Sequence, residues 1–303
     1  MPRRLLSFFA VIAALTVWSF LPAADSVPAS VAAAALAAPV SISGKQHLLR
    51  VATYNVHIGL ELGGELNEKT VLDFKKIGTL LRALNLDLVA VNEIDSGCQR
   101  THYAHQPALL SKEAKMGIVF AQSRALAADL YPKQGPVWGT YGVAAMGRRP
   151  LEVVEQFALP LPDSLEPRTA LIVRTVEKKP VYFVVTHLPW EQTPEVEALR
   201  VKCVEEITRR VKAGGYAPAL IAGDFNAKPD SNTIHTLRKE WAIVGDGDLA
   251  PTFPADKPRV RLDYIAFTPK DAFEVVDYKV VEERKASDHR PFVATLVPKK
   301  TGR

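Results

Sequence analysis

An apolar run that ends in a polar turn places the strongest constraint on this chain. Residues 219–222 are all apolar, and Gly223-Asp224-Phe225-Asn226 follows them directly. We interpret the run as a buried strand that delivers a carboxylate and an amide to the edge of a sheet, with Gly223 allowing close approach of the backbone. The same four residues also suit an ordinary turn. The ends of the other predicted strands decide between the two interpretations.

Polar side chains recur at those other strand ends. Besides Asp224 and Asn226, they are Asn55, Glu93, His187, Asp263, Asp288 and His289. A single residue of this kind usually belongs to a turn or a cap, but a set of hard oxygen ligands with two histidines indicates a site. Such oxygens suit Mg²⁺ or Mn²⁺, whereas zinc usually recruits more histidine or cysteine. The set therefore favours a Mg²⁺ or Mn²⁺ site.

The periodicity of apolar residues predicts an α/β fold in which strands outnumber helices. Helices are predicted over 69–84, from Thr193 as the cap to Gly214, and over 231–241, with a loop-rich region from Arg100 to Gln106. Several strands follow one another without a helix between them, which favours two packed sheets with helices outside. The predicted strands are 48–54, 86–91, 117–121, 143–146, 151–159, 170–176, 181–186, 219–222, 262–267, 273–281 and 292–297.

The first 24 residues predict an export leader. Arg3 and Arg4 precede an apolar run over 5–21, and small residues follow from Ala23. Cleavage is expected near residue 24 or within 32–38. The alternative is an uncleaved single-span anchor, because the run is close to the ~17-residue lower limit for crossing a bilayer. We expect an exported protein, secreted or periplasmic, whose only membrane contact would be an uncleaved leader.

The rest of the chain divides into three predicted segments. Residues 25–46, rich in Ala, Pro and Ser, predict a linker. Residues 47–298 form the predicted folded domain, which we expect to be monomeric, and 299–303 form a basic tail. The formal net charge of +5 lies in the leader and the tail, so residues 25–298 are formally neutral. This mildly disfavours a nucleic-acid binder, although a local basic cleft would still permit one.

Cys98 and Cys203 are the only cysteines. In an exported protein they are expected either to form one disulfide or to be two small buried side chains. Their spacing fits no cysteine-rich metal site, and we predict no catalytic role for either.

Six short motifs, in order along the chain, carry a family resemblance. They are Thr53-Tyr54-Asn55-Val56-His57, Asn92-Glu93-Ile94-Asp95, Thr186-His187-Leu188, Gly223-Asp224-Phe225-Asn226, Arg261-Leu262-Asp263-Tyr264-Ile265 and Ser287-Asp288-His289-Arg290-Pro291. Together they resemble the endonuclease/exonuclease/phosphatase superfamily of DNase I-like phosphoesterases, from about residue 48 to 297. The resemblance implies a four-layer αββα sandwich of two mainly antiparallel sheets. It also implies metal-dependent hydrolysis of phosphoester bonds.

The resemblance assigns metal ligands and catalytic residues. Glu93 is the implied principal ligand of Mg²⁺ or Mn²⁺, with Asn55 beside it and Asp288 contributing directly or through water. The implied catalytic set is Asp224 and Asn226, which position the water and the phosphate; Asp263, which orients His289; His289, which acts on the nucleophile or the phosphate; and His187, a phosphate-facing donor. Each has a structural alternative: His187 as a satisfied strand-end histidine, Asp263 as a hydrogen-bond acceptor, Asn55 and Asn226 as turn residues.

Two arginines form a second tier of candidates. Arg100 lies in a run typical of small bacterial members of the family, and Pro167-Arg168-Thr169-Ala170 resembles another. An arginine near the cleft can hold phosphate with two hydrogen bonds, but a solvated side chain is the alternative for each. Arg168 is the stronger candidate.

Three positions depart from the family pattern. Asn92 stands where Gln is usual, His57 where an acidic residue is common in the nucleases, and Val143 where many relatives have an Asn that shapes the phosphate site. We predict a phosphodiesterase, with a nuclease, a lipid-headgroup phosphodiesterase and a sugar or inositol phosphatase as alternatives. Val143 also leaves open a binding module built on a weakened enzyme.

Overall fold

The structure of the protein, a computed structural model, describes residues 48–67, 70–125, 139–248 and 250–299. The predicted leader and linker, and the tail beyond residue 299, lie outside the described residues. The helices are α1 (Phe74–Ala83), α2 (Gln106–Ala114), α3 (Pro194–Ala213) and α4 (Asn232–Glu240). The strands are β1 (Leu49–Asn55), β2 (Leu88–Ser96), β3 (Gly117–Ala125), β4 (Thr140–Gly147), β5 (Leu151–Ala158), β6 (Thr169–Thr175), β7 (Tyr182–His187), β8 (Ala219–Asp224), β9 (Ala242–Ile243), β10 (Asp263–Thr268), β11 (Phe273–Val280) and β12 (Phe292–Pro298).

The strands form two six-stranded sheets with the same internal plan. Sheet A has the order β11-β12-β1-β2-β4-β3, and sheet B has the order β5-β6-β7-β8-β10-β9. Each sheet has one parallel pair at its centre, β1 with β2 and β7 with β8, and its other neighbours are antiparallel. The carboxyl ends of the parallel strands therefore meet the amino ends of β10 and β12 at one edge.

Three apolar clusters explain the layers. The cluster between the sheets takes side chains from both, including Val51 of sheet A and Phe183 of sheet B. A second cluster packs α3 and α4 on the outer face of sheet B, and a third packs α1 and α2 on the outer face of sheet A. Strands buried on both faces read as continuous apolar runs, as residues 219–222 do. The predicted four-layer sandwich is confirmed.

Local signals predicted most elements, but several bounds differ. The strand predicted to end before Asn92 runs on to Ser96, so Asn92 and Glu93 lie inside β2 rather than at its end. The helix predicted from residue 69 begins at Phe74, because the side chain of Asp73 caps it by accepting a hydrogen bond from Lys76 N at 2.9 Å. The loop predicted from Arg100 to Gln106 was wrong at its end, because α2 begins at Gln106. This helix carries no acidic first turn and no side-chain cap, so Pro107 in its first turn is the one local signal of its start. The two-residue strand β9 was also not predicted.

Gly223 is required by close approach of two strands. A Cβ at this position would lie 1.9 Å from the carbonyl oxygen of Thr186 on β7. Because that oxygen belongs to the backbone of a central strand, no side-chain movement can relieve the overlap. The glycine therefore lets β8 deliver Asp224 directly beside the end of β7.

Both cysteines are buried free thiols in the structure. Cys98 packs with Ile58, Leu60 and Tyr141, whereas Cys203 lies in the cluster under α3. Burial raises the pKa of each thiol to about 12, which keeps both protonated and unreactive. Of the two alternatives for the cysteines, one disulfide or two separate buried side chains, the structure shows the second.

Within the described ranges, no helix is long and apolar enough to cross a membrane.

Candidate active site

The polar strand ends predicted from the sequence meet at one edge of the sandwich. In sheet B, His187 is in register with Asp224, and Asp224 is in register with Asp263. These three side chains thus start from adjacent positions on three neighbouring strands. Cα partners in a sheet lie about 5 Å apart, so their side chains can share one site.

On sheet A, a β-bulge directs Glu93 into the same region. The register between β2 and β4 shifts between Asn92 and Ile94, and Glu93 has a left-handed φ of 58°. Because the bulge breaks the alternation of side chains, Glu93 leaves the buried pattern of β2 and is 25% exposed. Asn55, at the end of β1, donates from Nδ2 to Glu93 Oε1 at 2.9 Å and to Asp224 Oδ2 at 3.1 Å.

Asn92 ties the two sheets together at this edge. Its Nδ2 donates to the carbonyl of Thr186 at 2.8 Å, and its Oδ1 accepts from the backbone N–H of Asp224 at 3.0 Å. The residue is fully buried, and it lies opposite Val143 in the β2–β4 register. Asn92 therefore fixes the backbone that carries Asp224 relative to the strand that carries Glu93. Val143 itself packs in the core between the sheets.

We expect Asn92→Ala to destabilise the protein and to lower its activity. The substitution removes two buried hydrogen bonds that join the sheets, which costs about 1–3 kcal/mol in all. Urea unfolding followed by circular dichroism measures the loss, and Asn232→Ala, at an exposed position in α4, is the matched control. An Asn92→Ala protein as stable as the control would contradict the bridging role.

Asp263 and His289 form a buried hydrogen-bonded pair. His289 Nδ1 lies 2.9 Å from Asp263 Oδ2, which also accepts from Thr252 Oγ1 at 2.6 Å. The other ring nitrogen, Nε2, lies 3.5 Å from Asp224 Oδ2. Burial opposes the charged form of the ring, but Asp263 and Asp224 outweigh it and raise the pKa of His289 to about 10. His289 is thus an imidazolium at neutral pH, and both of its ring nitrogens carry a proton.

Asp224 lies at the centre of the site. Burial, aided by Asp263, raises the pKa of Asp224 to about 7, although the charge of His289 opposes the shift. Its Oδ1 accepts from Asn226 N at 2.8 Å. A carboxyl group with a pKa near neutrality is suited to exchange a proton with water.

Asn226 and His187 contact each other beside Asp224. Asn226 Nδ2 lies 3.1 Å from His187 Nε2 and donates to the carbonyl of Leu188 at 3.0 Å. Burial, Arg168 and His289 lower the pKa of His187, so its ring is neutral. His187 therefore differs from His289 in charge although the two rings share one site.

The loop before β12 brings Asp288 to the same edge. Ser287 Oγ donates to the carbonyl of Asn55 at 2.7 Å, which fastens this loop to the end of β1. Asp288 is 26% exposed, and its Oδ1 lies 3.8 Å from His57 Nδ1. A histidine at position 57, where nucleases of the family often carry an acid, therefore faces a carboxylate in this protein.

Both candidate arginines reach the site, but each is engaged by protein groups. Arg100 holds Asp95 through two hydrogen bonds of 2.7 Å. Arg168 is buried, lies 3.1 Å from His187 Nδ1, and pairs with Glu166 at 3.1 Å. Its Nη1 also donates to the hydroxyl of Tyr141 at 3.3 Å. A direct phosphate contact by either arginine stays a prediction.

These residues line one cavity of about 620 Å³. The sequence-predicted residues on its wall are Glu93, Arg100, Arg168, His187, Asp224, Asn226, Asp288 and His289, while Asn55 and Asp263 lie behind them and hold them. Sequence reasoning missed Glu166, Tyr141 and Trp190, which also line the cavity. Their only signal was nearness to a motif, since Glu166 precedes the Arg168 run by one residue and Trp190 follows the His187 motif.

The donor set fits a divalent cation. Glu93 and Asp288 place two partly exposed carboxylates on the cavity wall, and the Asn55 amide lies beside Glu93. Asp224, Asp263 and His289 also offer ligand atoms within 4.8 Å of one another, so the described part of the chain contains a second candidate group. Asp263 Oδ2 already holds His289 and Thr252, which favours an orienting role over ligation. Asn55 Oδ1 accepts from His57 N at 3.0 Å, so its place as a ligand stays a prediction.

Comparison with known proteins decides the family. The model of the endonuclease/exonuclease/phosphatase family matches residues 52–289. The chain belongs to this family. The resemblance identified from the six motifs is thereby confirmed, and family members include metal-dependent phosphoesterases.

Similar proteins cover nearly the whole domain. The chain is 25% identical over 264 residues to the Escherichia coli K12 protein YbhP, covering 83% of this chain and 97% of YbhP. Among solved structures, a family member from Beutenbergia cavernae has a TM-score of 0.66 at 24% identity, covering 84% of this chain and 72% of that one. The mannosyl-6-phosphatase Bt3783 of Bacteroides thetaiotaomicron has a TM-score of 0.62 at 18% identity, covering 82% and 99%. These structural likenesses establish the fold.

Proposed function

We propose that the protein is a phosphodiesterase that requires Mg²⁺ or Mn²⁺. One observation carries the proposal: Asp224, with its pKa raised to about 7, lies 3.5 Å from the imidazolium of His289, in a cavity that also contains the carboxylates of Glu93 and Asp288. Attack of water on a phosphoester needs a base, a cationic hydrogen-bond donor and carboxylates that can bind a metal ion.

The proposed mechanism divides the work between two residues. Asp224 orients the attacking water and takes its proton as the new P–O bond forms. The ester P–O bond breaks, and the ester oxygen leaves with its electron pair and takes a proton from solvent. His289, held by Asp263, donates from Nε2 to a phosphoryl oxygen and offsets the negative charge that develops there. Asn226 and His187 bind the phosphate, and Arg168 holds the His187 ring in place. We assign the donor role to His289 and the base role to Asp224, since a ring whose pKa is raised to about 10 retains its proton at neutral pH.

Glu93 and Asp288 are the proposed metal ligands, with Asn55 beside them. A bound Mg²⁺ or Mn²⁺ would supply Lewis-acid neutralisation of phosphoryl charge. Both side chains are about a quarter exposed, so an ion can reach them from the cavity mouth. Asn55 links Glu93 to Asp224, and therefore couples the proposed metal ligand to the proposed base.

A phosphatase acting on sugar phosphates is the second candidate. The name of the mannosyl-6-phosphatase Bt3783 motivates it, since that protein shares the fold. A nuclease is less favoured, because residues 25–298 are formally neutral and both cavity arginines are held by acidic residues. Export by the N-terminal leader also stays part of the proposal; fractionation of cells that produce the full chain would check it.

A substrate panel tests the proposal. The purified protein, with Mg²⁺ or Mn²⁺, is assayed against bis-(p-nitrophenyl) phosphate, p-nitrophenyl phosphate, plasmid DNA, sphingomyelin and inositol phosphates. We expect the diester bis-(p-nitrophenyl) phosphate to be cleaved with a higher kcat/KM than the monoester. A higher value for the monoester would favour the phosphatase. No turnover of any substrate with either ion would contradict the enzyme and favour a binding module.

A further inference from the structure

Among the described residues of the cavity wall, one large aromatic side chain is mostly exposed. Trp190 lies three residues beyond His187 and lines the same cavity, yet it is 60% exposed. A tryptophan left this far in solvent has given up most of the burial that usually stabilises it. Because it lines the same cavity as His187, the proposed phosphate-binding histidine, it is placed to meet a part of the substrate beyond the phosphate.

The backbone on both sides of Trp190 is held by a buried arginine. Arg200, a fully buried residue of α3, donates from Nη1 to the carbonyls of Pro189 and Glu191, each at 2.8 Å. Glu197 in turn accepts from Arg200 Nη2 at 2.9 Å. Burying a guanidinium costs free energy unless it is paired. The ion pair of Arg200 with Glu197 meets this requirement, and Arg200 holds the backbone on both sides of Trp190.

A second clamp fixes Trp190 relative to the catalytic loop. Gln192 Nε2 donates to the carbonyl of Trp190 at 2.7 Å and to the carbonyl of Asn226 at 3.1 Å. The indole is thus carried on a backbone tied both to α3 and to the Asp224–Asn226 turn. Such preorganisation lowers the entropy cost of binding a rigid group against the ring.

The cavity has room for more than a phosphate. Its volume of about 620 Å³ lies in the usual range for small-molecule sites, roughly 300–1,000 Å³. Lys228, two residues beyond Asn226, supplies a cation on the same wall. A flat face beside a phosphate site fits a substituent with a flat ring better than an open alkyl chain.

We infer that Trp190 forms a stacking subsite for a flat ring on the phosphoester substrate, which makes it a specificity-determining residue. The inference rests on the proposed function for its phosphate site and adds the class of substrate: small phosphoesters whose alcohol part carries a flat aromatic ring, as a nucleotide does in its base.

Calorimetry with three product-type phosphate esters tests the inference. The purified protein and its variants are titrated, with Mn²⁺ present, with adenosine 5′-monophosphate, glucose 6-phosphate and glycerol 3-phosphate. We expect the wild-type protein to bind adenosine 5′-monophosphate about tenfold more tightly than glycerol 3-phosphate, as expected for one base stacked on an aromatic ring. Trp190→Ala should remove that preference, and Trp190→Phe should keep most of it. Tyr103→Ala, an equally exposed aromatic outside the cavity wall, should change nothing.

The arms of the experiment separate the outcomes. In Trp190→Ala, weaker binding of adenosine 5′-monophosphate alone would support the inference, and equal weakening of glucose 6-phosphate, which has no flat ring, would overturn it. An unchanged preference in Trp190→Ala, or no preference in the wild type, would also overturn it. Hydrolysis of bis-(p-nitrophenyl) phosphate, assayed in parallel, reports on the proposed function separately, since the ester preference is measured without turnover.

Discussion

Replacing His289 by Ala is expected to lower kcat for bis-(p-nitrophenyl) phosphate by about 10³-fold. The substitution removes a cationic donor from a buried site, and positioned donors or acids contribute roughly 10²–10⁴-fold. It also leaves Asp263 and Asp224 without the positive charge between them. The rate with saturating Mn²⁺ measures the effect.

Two further variants show whether this loss is chemical or structural. His235→Ala, at an exposed position in α4, controls for histidine removal and should retain full activity. His289→Gln keeps a polar side chain of similar size and should unfold at nearly the wild-type temperature while remaining inactive. Turnover within tenfold of the wild type in a folded His289→Ala protein would contradict the role given to this ring.

Asp263 acts through His289, so its variant has a distinct pH signature. Asp263 raises the pKa of His289, and the imidazolium is the active form in this account. In Asp263→Asn the ring should lose its proton at lower pH. The alkaline limb of the pH–rate profile should therefore move towards neutrality, by more than about one pH unit. A uniformly lower profile with an unmoved limb would indicate a structural role alone.

Replacing Glu93 by Gln is expected to weaken Mn²⁺ binding by at least about tenfold and to abolish turnover at ordinary metal concentrations. Removing one of few carboxylate ligands lowers the charge that holds a hard cation. The fold should be unaffected, because Glu93 is partly exposed and Gln can still accept the hydrogen bond from Asn55. Calorimetric titration with Mn²⁺ measures the affinity without any substrate.

A matched carboxylate outside the cavity wall provides the control. Glu61 is 48% exposed and pairs with Lys76, so Glu61→Gln should bind Mn²⁺ with unchanged affinity. Affinity in Glu93→Gln equal to that of the control would exclude Glu93 as a ligand. Affinity lost equally in Asp263→Asn would move the ion to the Asp224, Asp263 and His289 group.

Much of the fold could be predicted because the interior strands leave clear patterns. A strand such as β8 is buried on both faces and reads as an unbroken apolar run, and α3 begins with Thr193 as its cap and Pro194 as its first residue. The helix α2 could not be predicted in the same way. Its hydrophobic face is weak, and its first residue, Gln106, is used to hold Asp95 N and the carbonyl of Ile58.

The candidate site could also be predicted only in part from the sequence. Residues at strand ends could be predicted because parallel central strands bring their ends to one edge. Hydrogen-bond partners that lie on distant segments of the chain could not be predicted. The bridge from Asn92 to Thr186 joins residues 94 positions apart, and the sequence marked Asn92 only as a departure from the family pattern. The contact of Arg168 with His187 likewise depends on the pairing of β6 with β7, which the sequence does not reveal.

We propose that Asp224, His289 and a divalent ion held by Glu93 and Asp288 hydrolyse a phosphodiester. Release of p-nitrophenolate from bis-(p-nitrophenyl) phosphate is the direct test, with one preparation assayed after chelation by EDTA and again after Mn²⁺ or Mg²⁺ is restored. We expect no turnover after chelation, recovery with the ion, and no recovery in Glu93→Gln at the same ion concentration. Equal turnover with and without the ion, or full recovery in Glu93→Gln, would contradict it.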